Sequence, residues 1–126
     1  MTTRARRPVY LNLFQIKLPI PGIASIGHRI SGVMLVLAIP FAAYLFSESL
    51  AGPEEYSAVA ALLDSWVVKL VVLALLWGVL HHLFAGVRYL LLDIHVGIDK
   101  ASARKSALGV LAGAAVGAVI GAGMLL

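Results

Sequence analysis

The chain has 126 residues, 61% of them hydrophobic, a formal net charge of +4 and no cysteine. Its mean hydropathy is +0.98, and soluble domains average about 45–50% apolar residues, so an ordinary soluble fold is excluded. Without cysteine the chain cannot itself carry disulfides, thiolate metal sites or cysteine-ligated iron–sulfur clusters.

The apolar residues fall in three blocks, about 23–47, 62–92 and 107–126. A spanning helix needs about 20 mostly apolar residues, and each block is long enough. Backbone groups in lipid must bond internally, and the alternating short strands of a barrel are not in the pattern. The chain therefore reads as an all-α membrane protein with three transmembrane helices, forming a single domain over 1–126. Its first partner is the lipid bilayer, and no nucleic acid partner is expected.

Residues 1–22 read as a cytoplasmic arm. Arg7-Pro8 and Pro19-Ile20-Pro21-Gly22 keep it from being one continuous helix. The stretch 9–18 is amphipathic enough to lie at the interface. Helix 1 is predicted at about 23–50, with Pro40 inside it as a tolerable kink site. The start does not read as a cleaved signal peptide. Its apolar stretch exceeds the usual ~7–15-residue core and contains His28 and Arg29. Ala51-Gly52-Pro53 marks an outer loop.

Helix 2 is predicted at about 62–92, with Trp66 and Tyr89 as interface anchors near its ends. An inner loop follows to Ser106, broken at Gly97, with His95 as a loop residue. Helix 3, at about 107–126, carries Gly109, Gly113, Gly117 and Gly121 on one face. Such a small-xxx-small stripe serves close helix packing.

The charges are sorted by side. Arg4, Arg6, Arg7 and Lys17 precede the first span, and Arg88, Lys100, Arg104 and Lys105 cluster around the end of the second. Glu48, Glu54, Glu55 and Asp64 lie between these spans. The positive-inside rule then puts the N-terminus in the cytoplasm and the C-terminus outside. Lys69 dissents and is expected to snorkel to the surface.

Ionisable residues within a span cost upwards of ~2.5 kcal/mol each and need a partner, a cavity or a function. Two clusters stand out. Ser25-Ile26-Gly27-His28-Arg29-Ile30-Ser31-Gly32 lies at the inner end of helix 1. Ser25, Arg29 and Gly32 share a face, with His28 beside them. The second runs from His81-His82 through Gly86, Arg88 and Tyr89 to Asp93, at the inner end of helix 2. Up-and-down topology brings Ser25–Arg29 and His82–Arg88 to one depth, facing each other.

Adjacent histidines on a helix diverge by about 100°, so they do not readily share one ion. One of them can give a single axial nitrogen to a haem iron, with Gly78 and Gly86 leaving room for a flat macrocycle. A Ser–Arg pair can instead bind a quinone, hydroxyl to carbonyl and guanidinium to the anionic reduced form. Plainer readings exist beside these. An interfacial histidine can simply be solvated, and Arg29 and Arg88 can serve only as cytoplasmic anchors.

These residues resemble the succinate dehydrogenase cytochrome b556 subunit family, a small membrane anchor of succinate:quinone oxidoreductase. The likeness is carried by Arg7-Pro8-Val9 with Leu11-Asn12-Leu13, by Ser25-x-x-His28-Arg29-x-Ser31-Gly32, and by His82-x-x-x-Gly86-x-Arg88 followed by Asp93. The resemblance implies a haem b shared with a second small membrane-anchor subunit that supplies the other axial histidine. It puts the haem ligand on His82 rather than His81 and propionate contacts on His28 and Arg29. It puts the quinone site, for ubiquinone or menaquinone, on Ser25 and Arg29. It also implies an iron–sulfur subunit and a flavoprotein subunit docked on the cytoplasmic face of a bacterial inner membrane, with no catalysis by this chain alone. Many bacterial members carry a histidine where this chain has Tyr89. The alternatives are a fumarate-reducing or haem-free anchor, a small transporter, or a structural membrane subunit. Transport is disfavoured because every Asp and Glu lies at or beyond a span end.

Overall fold

The computed structural model describes residues 17–126, and these form four α-helices. They are α1 (Ile20–Ser49), α2 (Pro53–Asp64), α3 (Trp66–Asp93) and α4 (Lys100–Leu125). Three of them, α1, α3 and α4, are long and apolar enough to cross a membrane. The proposed interfacial stretch 9–18 and the Arg7-Pro8 segment lie wholly or largely outside the described residues.

The helix bounds depart from the hydropathy reading in three places, each for a local reason. First, α1 begins at Ile20, ahead of Pro21-Gly22. A proline in the first helical turn forfeits only an N–H that has no intrahelical acceptor, so it starts the helix instead of delaying it. The first bonds run from the amides of Gly22 and Ile23 to the Pro19 carbonyl, at 2.8 and 3.1 Å.

Second, the segment between the first two predicted spans is not a loop leading into a helix at residue 62. It is a separate 12-residue helix, α2, opened by Pro53 and carrying Glu54 and Glu55 in its first turn. There the acidic groups meet the positive end of the helix dipole. The chain breaks at Ser65, which is extended (φ −60°, ψ 131°), before α3 starts. Lys69 does not merely snorkel. Its Nζ reaches back across the break to Asp64 at 2.7 Å. That bond and the ammonium charge hold the Asp64 carboxyl below the usual range.

Third, α4 starts at Lys100 and not near Ala107. The Asp99 carboxylate caps it, accepting from the amides of Ala101 (3.1 Å) and Ser102 (2.9 Å). These bonds hold Asp99 below the usual carboxylate range, with Ser102 the main cause. The cationic run 100–105 is therefore the first turn and a half of a helix that hydropathy alone dates from its apolar part.

The turn between α3 and α4 is built on His95. Its amide bonds to the Leu92 carbonyl and that of Val96 to the Leu91 carbonyl, both at 2.9 Å. His95 itself is left-handed, with φ 64°. This pattern closes a helix C-terminus as a Schellman motif, with histidine where glycine is usual. Gly97, also left-handed (φ 73°), completes the turn.

Packing is antiparallel from α1 to α3 and from α3 to α4. Most of the buried residues are small, Ala24 and Ser31 on α1, Gly78 and Ala85 on α3, Ala107 and Ala114 on α4, and the larger ones are His81, Arg88 and Val110. In lipid, helices associate by close packing rather than by hydrophobic burial, and small residues permit the approach. The glycine stripe shows how. Phe84, Leu80 and Leu76 of α3, four residues apart, sit against Gly113, Gly117 and Gly121 of α4. A Cβ on Gly117 or Gly121 would overlap the leucine. Large apolar side chains such as Val36, Phe41, Leu90 and Ile120 point outward, as a lipid-facing surface requires.

Candidate functional site

The site lies where the start of α1 meets the end of α3. His81 and His82, adjacent on α3, go to different places. His81 is fully buried. Its Nε2 donates to the Ala24 carbonyl at 3.2 Å, and its ring stacks on Trp77. Gly27 is what admits it: a Cβ there would stand 2.5 Å from His81 Nε2. With Nε2 protonated, Nδ1 is a bare acceptor, and it is enclosed without a partner. His81 is thus a packing element between two helices, out of reach of any external ligand.

His82 is half-buried and faces outward from the same junction. Its Nδ1 lies 3.1 Å from the His28 carbonyl and 3.2 Å from Ser31 Oγ. The carbonyl decides the tautomer. Two acceptors cannot bond to each other, so Nδ1 carries the proton and donates. Ser31 Oγ in turn donates to the same carbonyl at 2.9 Å. Nε2 is left with its lone pair. A backbone carbonyl on one ring nitrogen is the usual way a protein fixes an imidazole whose other nitrogen binds metal. Gly32 lets the ring lie against α1, since a Cβ there would be 3.0 Å from His82 Cε1.

His28 stacks on His82, with ring centroids 4.1 Å apart and planes 13° from parallel. Together with Arg29, Gly32, Val33, Val36 and Leu37 they line an open groove of about 460 Å³. Its walls are mainly apolar, and Arg29 supplies a cation. Ser25, one turn before Arg29, is half-buried and does not line this groove. Tyr89 is not just an interface anchor. Its ring packs on His28 at 5.2 Å, and the Arg88 guanidinium lies 5.6 Å from its centroid.

Arg88 departs from the expected convergence. It turns away from α1, and its Nε donates to Ser106 Oγ (3.0 Å) and its Nη2 to the Ala103 carbonyl (3.2 Å), both on α4. Asp93 is exposed. Two contributors escape a reading of the sequence as a set of ligands: Ser31, which braces His82, and Gly27, which seats His81. Their signal was present in the motif, since Ser31 follows His28 by three residues and faces the same partner helix.

Among the described residues, no group of three His, Asp or Glu side chains could hold a bare metal ion. The donor set suits instead a metal that arrives with its own equatorial ligands and takes one imidazole from this face. The groove is open on its far side.

The sequence model described as the succinate dehydrogenase/fumarate reductase transmembrane subunit matches residues 3–121. This chain belongs to that family. Similar proteins include the succinate dehydrogenase cytochrome b556 subunit of Coxiella burnetii, 42% identical over 71% of this chain and 73% of that one. The subunit of the same name from Paracoccus denitrificans is 30% identical over 93% of this chain and 90% of that one. The fold agrees with the family description of a transmembrane subunit, since the described residues contain three helices long and apolar enough to span a bilayer.

Proposed function

We propose that this chain is a non-catalytic anchor subunit of a succinate:quinone oxidoreductase, holding one face of a haem b and helping to form the quinone-reduction site. The observation that carries this reading is His82: Nδ1 committed to the His28 carbonyl, Nε2 free, and the ring at the wall of an open groove. His81 is a poor alternative, because its Nε2 is already bonded to Ala24 and its ring is enclosed. A haem b held here would supply one-electron transfer. His28 and Arg29 line the same groove and would hold its propionates. The other small anchor subunit would supply a further histidine and cover the open side.

Ser25 and Arg29, one turn apart on α1, would hold the quinone, ubiquinone or menaquinone. The hydroxyl donates to a carbonyl oxygen, and the guanidinium offsets negative charge gathering on the opposite edge of the reduced ring. Both lie near the end of α1 that follows the basic N-terminal arm. With that arm cytoplasmic and the C-terminus external, the site faces the compartment in which iron–sulfur and flavoprotein subunits would dock. The relatives are bacterial, which supports the inner membrane as the location.

The test is a reduced-minus-oxidised absorption spectrum of the complex assembled with its partner subunits. His82→Ala is expected to abolish the b-type signal while the assembled subunits persist. A normal haem spectrum in that variant removes the ligand assignment. Ser25→Ala is expected to lower quinone reduction while succinate oxidation by an artificial dye continues. Equal loss of both activities would mean faulty assembly rather than a quinone contact.

A further inference from the structure

A second groove lies on the opposite side of α3, between α3 and α4, and nothing in the proposed haem and quinone chemistry uses it. Its volume is about 490 Å³. Its walls are apolar, from Leu83, Phe84, Val87 and Leu91 on one side and Gly109 and Gly113 on the other. One end is polar, formed by Arg88 and Ser106.

Two observations point to an occupant. The first is Arg88, a cation only 7% exposed. Its bonds go to a serine hydroxyl and a backbone carbonyl, both neutral. Among the described residues, no carboxylate lies within ion-pair distance of it. Burying a cation without a counter-charge is costly, and the further cations Arg104 and Lys105 stand on the same first turns of α4. The second is Gly109. Of the four stripe glycines, Gly113, Gly117 and Gly121 are each filled by an α3 side chain, but a Cβ on Gly109 would meet nothing within 4 Å. The stripe continues one turn past the last side chain that packs into it, and that turn opens onto Arg88.

Depth selects the ligand class. The 28 residues of α3 span about 42 Å, close to the ~40–45 Å of a bilayer with its headgroup layers. Arg88 lies five residues from the end of α3, about 7 Å in, where glycerol and phosphate groups meet acyl chains. A buried cation at headgroup depth, opening onto an apolar trough that runs toward the bilayer centre, has the polarity of a phospholipid.

We propose that the α3–α4 groove binds one anionic phospholipid, its phosphate on Arg88 and an acyl chain over Gly109. The proposal is independent of the haem and quinone reading. Basic pockets between spanning helices recognise anionic headgroups in this way, and one cation at the surface is worth about fivefold in affinity.

The test uses the complete complex in mild detergent, titrated with mixed micelles of phosphatidylglycerol or of phosphatidylcholine and read by native mass spectrometry. Retention of phosphatidylglycerol is expected to exceed that of phosphatidylcholine by about fivefold. Gly109→Leu, which fills the trough and leaves the Arg88 bonds in place, is expected to remove that excess while the mass of the assembled complex stays unchanged. Equal retention of the two lipids, or an unchanged excess in Gly109→Leu, overturns the proposal. In the unsubstituted complex, photoactivatable phosphatidylglycerol is expected to label α3 near Val87–Leu91 or α4 near Ser106–Gly113. Labelling confined to other segments, or a copper-phenanthroline-oxidised disulfide between Gly109→Cys and a cysteine introduced in a partner subunit's helix, overturns it as well and makes the groove a protein interface.

Discussion

The two seams of α3 are built on opposite plans. Toward α4 the contact is interlocked and dry along the stripe, where leucine and phenylalanine side chains enter glycine notches, and polar bonds are confined to Arg88 at one end. Toward α1 the contact is polar, with His81, His82 and Ser31 bonded to the backbone of α1. The dry seam presents nothing that could hold a ligand except where its stripe runs out at Gly109. The polar seam leaves one imidazole nitrogen uncommitted at a groove. A membrane helix pair can be held together either way, but only the second way leaves a reactive atom exposed, because hydrogen bonds orient a ring while packing merely encloses it.

Substitutions can separate the two plans, and the largest effects are expected where a Cβ has no space. Gly117→Leu should force α3 and α4 apart at a cost of about 1–3 kcal/mol, since overpacking a tight core strains its neighbours. It should lower the thermal midpoint of the complex while the haem spectrum of the surviving material stays normal. Gly27→Val, of similar cost on the same grounds, pushes His81 off α1. It should alter the haem spectrum as well, because the same displacement shifts His82 against His28. If the two variants give the same spectrum, the seams are not functionally distinct.

A smaller effect is expected from Ser31→Ala. The Nδ1–H of His82 keeps the His28 carbonyl but loses its second acceptor. Loss of an outer-shell partner costs at least about tenfold in metal-group affinity. Haem should remain visible and dissociate more readily in a competition with apo-myoglobin. Unchanged dissociation would make the carbonyl alone sufficient.

The smallest expected effect lies outside both seams. The Asp64 and Asp99 carboxyls are held below their usual range by Lys69 and by Ser102. A depressed carboxyl stabilises the fold above its unfolded pKa of about 3.9, and the contribution fades as pH falls through the lower folded value. Thermal midpoints should therefore dip at acid pH, and the dip should shrink in Asp99→Asn. Because both groups are exposed to solvent, the change is expected to be slight.

Much of this was legible in the chain. Three spans follow from hydropathy alone, since bilayer thickness sets a minimum length that composition either meets or misses. The glycine stripe announced a packing face, and the spacing of His28, Arg29 and His82 brought them to one depth. Helix ends were less legible. Asp99, Pro21 and Ser65 set them through individual bonds and dihedrals, to which an average over apolar residues is blind.

What the sequence by itself determined, then, is the number of crossings, their antiparallel order and which end of the bundle carries the polar residues. These depend on composition and periodicity summed over many positions. The tertiary structure alone decided which of two adjacent histidines is free, that Arg88 belongs to α4 and not to the histidine groove, and that Gly109 is left unfilled while its three successors are packed. Each of these turns on ångström-scale contact between helices. A rotation of one helix by a fraction of a turn would reverse it with the sequence unchanged.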